Sequence, residues 1–309
     1  PPEYKKYLTD RFMKMEVAEV NDITSDYEAP LDIVGHNYYY DRYEKDHEYS
    51  PNKVIWGSET MSIFFYDSWE KTSNNPYVLG DFTWVAFDNM GEVGCGRFLW
   101  ERDGVVNGLG PEPYPWRTCY QGDHEITGKR RPQSYFREMM WKENTEPRIF
   151  VTHPEHYNEG FSGTRWHWYD VRECWSYDEQ YIGKSISVET YTRADEIEWI
   201  LNGRIIGRSS PNKGIATLNT TYEPGEICAV AYKDGKEVSR YTLRSFGKPE
   251  RIILSPEKEN LVADGRDLLY VRMYVTDGVG TTVDSYEGAL HCSIEGGEMM
   301  GFFSGDPKN

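Results

Sequence analysis

A chain of 309 residues is too long for one small domain and predicts two or three. Its formal charge, 34 − 51 = −17, comes without a basic stripe, which excludes nucleic acid and anionic membranes as partners. Aromatic residues reach 15%, with 10 Trp and 24 Tyr. That surplus suits carbohydrate handling, because sugar C–H faces pack on aromatic planes, and it equally suits an aromatic-rich β-sandwich.

No apolar run approaches the roughly 18 residues of a membrane-spanning helix. The chain opens Pro1-Pro2-Glu3, with no Met and no apolar leader, so it is expected to be processed or to be a piece of something longer. Cys95, Cys119, Cys174, Cys228 and Cys292 are scattered, with no C-x-x-C. An odd, unclustered set favours reduced thiols over a disulfide frame or a zinc site, and it leans the compartment towards the cytoplasm. No metal and no cofactor are expected.

In chain order, Tyr4 to Val20 carries apolar residues at helical spacing and predicts an amphipathic helix. Asn21–Pro30 reads as a polar loop. Leu31–Gly35 is a buried strand running into His36-Asn37-Tyr38-Tyr39-Tyr40. Asp41–Pro51 is polar and partly helical. Asn52–Thr60 holds the short apolar run Val54-Ile55-Trp56, predicted as a strand buried on both faces, and it ends in Gly57-Ser58-Glu59. A helix from Met61 to Lys71 and a third strand, Tyr77–Gly80, follow. Crossovers of this length imply parallel pairing. Gly91–Gln121 is a long Gly/Pro-rich loop, and Arg130–Trp141 a closing helix with Pro132 in its first turn.

Beyond Glu143 short alternating strands take over, starting with Pro147–Val151. Asn202-Gly203 and Asp234-Gly235 are type I′ turn dipeptides joining Glu196–Leu201 to Arg204–Ser209 and Ile227–Tyr232 to Glu237–Leu243. Gly247-Lys248-Pro249 marks a boundary. Ile252–Leu254, Leu269–Thr276 and Leu290–Ile294 begin a further all-β unit. The predicted fold class is therefore α/β followed by all-β. Residues 1–145 are the end of a (β/α)8 barrel, 146–246 an Ig-like sandwich, and 247–309 the start of a second one.

A carboxylate at the end of a buried strand is costly unless neighbours donate hydrogen bonds to it or the site is a working one, which singles out Glu59. D-I-V-G-H-N-Y-Y-Y, V-I-W-G-S-E-T and P-Y-V-L-G-D-F-T-W-V-A-F-D-N-M-G-E, in that order, resemble the last three barrel strands of glycoside hydrolase family 2, and most of all its bacterial β-galactosidases. The likeness covers Leu31–Trp141. It extends to D-E-I-E-W-I-L-N-G-R at Asp195–Arg204, which looks like a hairpin of the family's accessory sandwich. The resemblance implies that Glu59 is the nucleophile of a retaining exo-β-glycosidase, with Tyr39 and Tyr43 donating hydrogen bonds to it. It implies sugar contacts from Asn37, Trp84 and Asp81, whereas the Asp88-Asn89 pair reads as hydroxyl ligand or loop cap. His36 departs from the usual tyrosine and is given no role.

The resemblance also points to something missing. The family's acid/base follows an asparagine on an earlier barrel strand, and the only Asn-Glu here, Asn158-Glu159, reads as loop polarity. Glu92, Glu101 and Glu125 read as solvated acids, with a substitute for the missing acid as the alternative for each. Trp166, Trp168 and Trp175 read as core or domain interface rather than a sugar platform. His153-Pro154-Glu155-His156 reads as a turn, because the proline breaks a helical metal pair. The expected function is a β-galactosidase acting on terminal sugars by double displacement, with a homo-oligomer as the candidate assembly of its longer form. The isolated chain is expected to be inactive for want of the acid. The alternatives are a β-glucuronidase or other specificity of the same family, a non-catalytic carbohydrate-binding chain, and a structural or docking protein.

Overall fold

The computed structural model describes residues 24–106, 112, 114–142 and 145–305. The helix expected at Tyr4–Val20 lies outside them. The polar loop expected before Leu31 contains a helical turn at 24–28. The fold is mixed α/β with strands predominating, and its sheets are open.

Strands β1 (Ile33–Asn37), β2 (Val54–Thr60) and β3 (Val78–Thr83) form a parallel sheet in that order. The crossovers contain α1 (Tyr43–Tyr49) and α2 (Phe65–Asn74), each led in by a 3-10 turn. Register sets Asn37 beside Glu59 and Gly57 beside Asp81. One face of the sheet is covered, with Tyr43, Ile55 and Val78 forming a small core. The other face is open: Ile33 is 48% exposed and Phe82 54%. Trp56 meets Phe82 edge to face at 5.0 Å. The expectation that β2 is buried on both faces is thus corrected. Its burial alternates, because among the described residues only one layer of helices lies against three strands.

The long loop expected at Gly91–Gln121 carries a strand of its own, β4 (Phe98–Trp100). The third helix, α3 (Pro132–Lys142), begins at the proline, whose missing N–H needs no partner there. Strand β5 (Arg148–Val151) then opens the β-rich half. β6 (Phe161–Gly163) turns back to pair antiparallel with β4, tying that half to the loop.

The remaining strands are β7 (Ser185–Tyr191), β8 (Glu196–Leu201), β9 (Arg204–Ser209), β10 (Ile215–Thr221), β11 (Glu226–Lys233) and β12 (Lys236–Arg244). They form two antiparallel sheets, β10-β7-β5 and β12-β11-β8-β9. A shared core that includes Ile149, Trp175, Val188, Ile197, Trp199 and Ala229 draws on both. Both expected hairpin turns are present: Asn202 and Gly203 have φ of 48° and 77°, Asp234 and Gly235 51° and 71°. These are the left-handed values a two-residue hairpin loop requires. Among the described residues β13 (Arg251–Pro256) pairs only with β14 (Val271–Thr276). The strand expected at Leu290–Ile294 does not form, since a two-stranded ladder offers it no stable template.

One half-buried position makes stability depend on pH. Burial pushes the Glu189 carboxyl up to about 7, with the Tyr191 hydroxyl donating to it at 2.9 Å. An acid that binds its proton more tightly when folded loses stability as pH rises from its unfolded value near 4.5 to about 7, and the loss is complete above that. Glu189→Gln keeps an acceptor for Tyr191. It is expected to stabilise the chain at pH 8 by on the order of 2 kcal/mol, with no gain at pH 4, in paired thermal melts.

Candidate functional site

β1 ends at Asn37, after an irregularity in its register against β2. The next residue, Tyr38, takes a φ of 68°, a left-handed conformation rare for a bulky side chain and held only where its surroundings enforce it. Two contacts with one residue do so. The Tyr38 N–H donates to the Glu59 carbonyl at 2.6 Å, and its hydroxyl donates to Glu59 Oε2 at 2.6 Å. A tyrosine from one strand end is thereby fastened to the carboxylate at the next. Burial, and then the hydrogen bond to Glu59, push the Tyr38 hydroxyl far above its ordinary pKa, so it remains a donor throughout the usable pH range.

This corrects the expected donors. Tyr39 makes no hydrogen bond with Glu59; the Arg42 guanidinium lies 5.8 Å over its ring. Tyr43 is fully buried beneath the sheet with Ile55 and Val78. A Cβ built at Gly57 would come within 2.3 Å of the Tyr43 hydroxyl, so the glycine is needed for the ring to pass under the strand. Asp81 is on that side too. It accepts from Thr60 Oγ1, and burial raises its pKa against the pull of hydrogen bonds from Thr60 and Ser68 and the charge of Arg137. The signal missed in the sequence was the left-handed turn, which shifts the outward-facing tyrosine by one position.

Asn37 is exposed beside Glu59, its Oδ1 accepting from Ser58 Oγ at 2.7 Å. Trp84 follows β3, its N–H donating to the Thr60 carbonyl at 2.9 Å. Its indole N–H donates to Glu92 Oε2 at 2.8 Å, and Gln121 donates to the same oxygen at 3.0 Å. Glu92, expected to be solvated, is instead pinned. Its charge, like that of Glu59, raises the pKa of Tyr38, which puts both carboxylates around one phenol. Asn89 aims it, with Oδ1 accepting from the N–H groups of Gly91 and Glu92 at 2.8 and 3.2 Å. Asp88 is a loop anchor: it accepts from Arg131 at 2.8 and 2.5 Å, from the Gly122 N–H at 2.8 Å and from the Cys119 thiol at 3.3 Å.

Of the three tryptophans singled out in the sequence, Trp168 and Trp175 are core. Trp166 reaches the site, its ring standing edge-on to Tyr38 at 5.4 Å and 89°. The β4–β6 pairing brings it there. His36 lies in a buried ionic group, 2.9 Å from Asp46, which Arg42 also contacts at 3.1 Å. His156 sits between Glu155 and Glu159 at 3.1 and 2.9 Å, and Arg102 takes Glu159 in a forked pair. Among the described residues no group of three or more His, Cys, Asp or Glu could hold a metal. No helix among them is long and apolar enough to cross a membrane.

The geometry is that of a carboxylate at a strand end, held by a phenol, with an indole and a second carboxylate beside it. A solved glycosyl hydrolase family 2 member from Bacteroides cellulosilyticus is 35% identical and superposes with a TM-score of 0.76, over 84% of this chain and 34% of that one. A β-galactosidase of Bacteroides ovatus is 25% identical over 261 residues, 82% of this chain and 25% of that protein. The chain matches the C-terminal portion of glycoside hydrolase family 2. Within the family, a putative β-glucuronidase of Formosa agariphila is also similar, 24% identical over 245 residues, 78% of this chain and 20% of the relative. The chain therefore spans a quarter or less of the length of these two curated family 2 relatives. Residues 183–239 match a domain family described only as a domain of unknown function, DUF4982.

Proposed function

We propose that this chain is the C-terminal part of a retaining exo-β-glycosidase, a β-galactosidase, in which Glu59 is the nucleophile. In this reading residues 1–145 are the last staves of a (β/α)8 barrel, 146–246 an Ig-like sandwich and 247–309 the beginning of another. The observation that carries it is the Tyr38 hydroxyl donating at 2.6 Å to Glu59 at the end of the middle parallel strand. That is where barrel enzymes carry their chemistry. Glu59 attacks the anomeric carbon while an acid outside this chain protonates the leaving oxygen. The same group then activates water to cleave the glycosyl ester with net retention. Asn37 offers an amide to a sugar hydroxyl, and Trp84 gives the ring an aromatic wall. Glu92 accepts from a hydroxyl with the oxygen that Trp84 and Gln121 leave free.

Glu92 also favours galactose over a uronic acid, whose carboxylate would face two like charges. Glu92→Gln is expected to lower kcat/KM on a nitrophenyl β-galactoside about 10–100-fold, mostly through KM, the range for one hydrogen bond to a charged group. A larger rate on the matching β-glucuronide in the unmodified protein would reverse the specificity. The decisive test of the mechanism is labelling of the full-length protein with a 2-deoxy-2-fluoro-β-galactoside bearing a good leaving group. The expected adduct, found by peptide mass spectrometry, is on Glu59; an adduct on any other residue sinks the assignment.

A further inference from the structure

A second site stands apart from the Glu59 cluster. Between the turn Pro154–His156 and the start of β7 opens a cleft of about 370 Å³, lined by Pro154, Tyr157, Gln180, Tyr181, Lys184 and Ser185. It is a shallow cleft open to solvent, which suits one ring lying on its floor and not an enclosed ligand. Two segments more than twenty residues apart build it, and each is fixed without a ligand. Tyr181 is held by its hydroxyl on Glu155 at 3.3 Å and by the His153 ring edge-on at 5.1 Å. Lys184 is set from both sides: its N–H donates to the Tyr181 carbonyl at 2.9 Å, and its carbonyl accepts from Tyr222 at 2.9 Å. The turn bearing Tyr157 is braced from behind by His156, which stacks on Trp100 at 4.3 Å and bonds Glu159.

The cleft's polar groups have no task inside the chain. The side chains of Gln180, Lys184 and Ser185 make no hydrogen bond or ion pair with any described residue. Partly exposed tyrosine rings beside an amide, an ammonium and a hydroxyl, all without intramolecular partners, match a pyranose, which presents C–H faces and a rim of hydroxyls. A hydroxylated ligand can bond all three of these solvent-facing groups, whereas a single lysine does not make a phosphate cradle.

We propose that this cleft is an ancillary carbohydrate-binding site that takes one pyranose residue of a glycan, with Tyr157 and Tyr181 as the ring platform and Gln180, Lys184 and Ser185 as hydroxyl partners. Its position on the β-rich half leaves it independent of the nucleophile. The site would keep a polymeric substrate close to the protein and raise its effective concentration.

The test is calorimetric titration of the full-length protein, carrying Glu59→Gln to block turnover, with three tetrasaccharides: a β-1,4-galactan, a β-1,4-glucan and an α-1,4-galacturonan. At least one is expected to bind with Kd in the millimolar range, and Tyr181→Ala to weaken that binding about tenfold or more. Gln180→Ala, at an exposed position, is expected to weaken it several-fold with no change in melting temperature, which guards against a fold defect in the tyrosine variant. Binding that survives both substitutions, or no binding of any probe at about 20 mM, overturns the proposal. Neither result bears on the Glu59 assignment, which the fluorosugar adduct tests alone.

Discussion

Glu59→Gln in the full-length protein is expected to reduce kcat on a nitrophenyl β-galactoside by at least about 10⁴-fold, the scale of losing a residue that forms the covalent intermediate. The amide is isosteric and can still accept from Tyr38, so folding and the position of the strand end are preserved. What it removes is the charge that attacks the anomeric carbon. Glu59→Ala opens space on the same face, and added azide is then expected to restore turnover by attacking that carbon directly. The product would be the α-configured glycosyl azide, whose anomeric proton coupling in NMR distinguishes it from the β-anomer. A Glu59→Gln variant within tenfold of the unmodified rate would remove Glu59 from the chemistry.

Tyr38→Phe is expected to lower kcat about 10²–10³-fold, the effect of deleting one preorganised donor, with KM changed much less. The phenol holds the attacking carboxylate in position, so its loss misplaces the nucleophile and alters reactivity more than affinity. Since burial and Glu59 keep the Tyr38 proton on well into alkaline pH, the alkaline limb of the rate profile is expected not to move in the variant. Tyr39→Phe is the control. Its hydroxyl makes no bond to Glu59, so kcat is expected to stay within a few-fold. Steady-state kinetics on the two variants side by side decide between neighbouring tyrosines that the sequence could not rank.

The same pair shows where one-dimensional reading stopped. The motif placed a hydroxyl donor near the end of β1, because tyrosines crowd there. A residue in the left-handed region rotates the chain so that position 38 faces the carboxylate and position 39 does not. No periodicity reports a single φ, and the contacts that enforce it come from a strand 21 residues away. The positions of Tyr43 and Asp81 have a related cause. The β2–β3 register and the absence of a side chain at Gly57 put both beneath the sheet, and register is a property of the pair of strands.

What the sequence determined by itself was local. It determined the three parallel strands, the helices between them, the Pro132 helix start, the two Asn/Asp-Gly hairpins and the strand end that bears Glu59. Each of these follows from spacing, backbone preference or turn chemistry within a dozen residues. Tertiary structure alone decided which tyrosine holds Glu59, that Glu92 is locked between Trp84 and Gln121, that Asp88 anchors a loop, and that Trp166 arrives from the far half over β4 and β6. Those side chains converge across 8 to more than 120 residues of chain. Closing such distances is driven by burying apolar surface that is summed over the whole fold, so no single segment encodes the meeting.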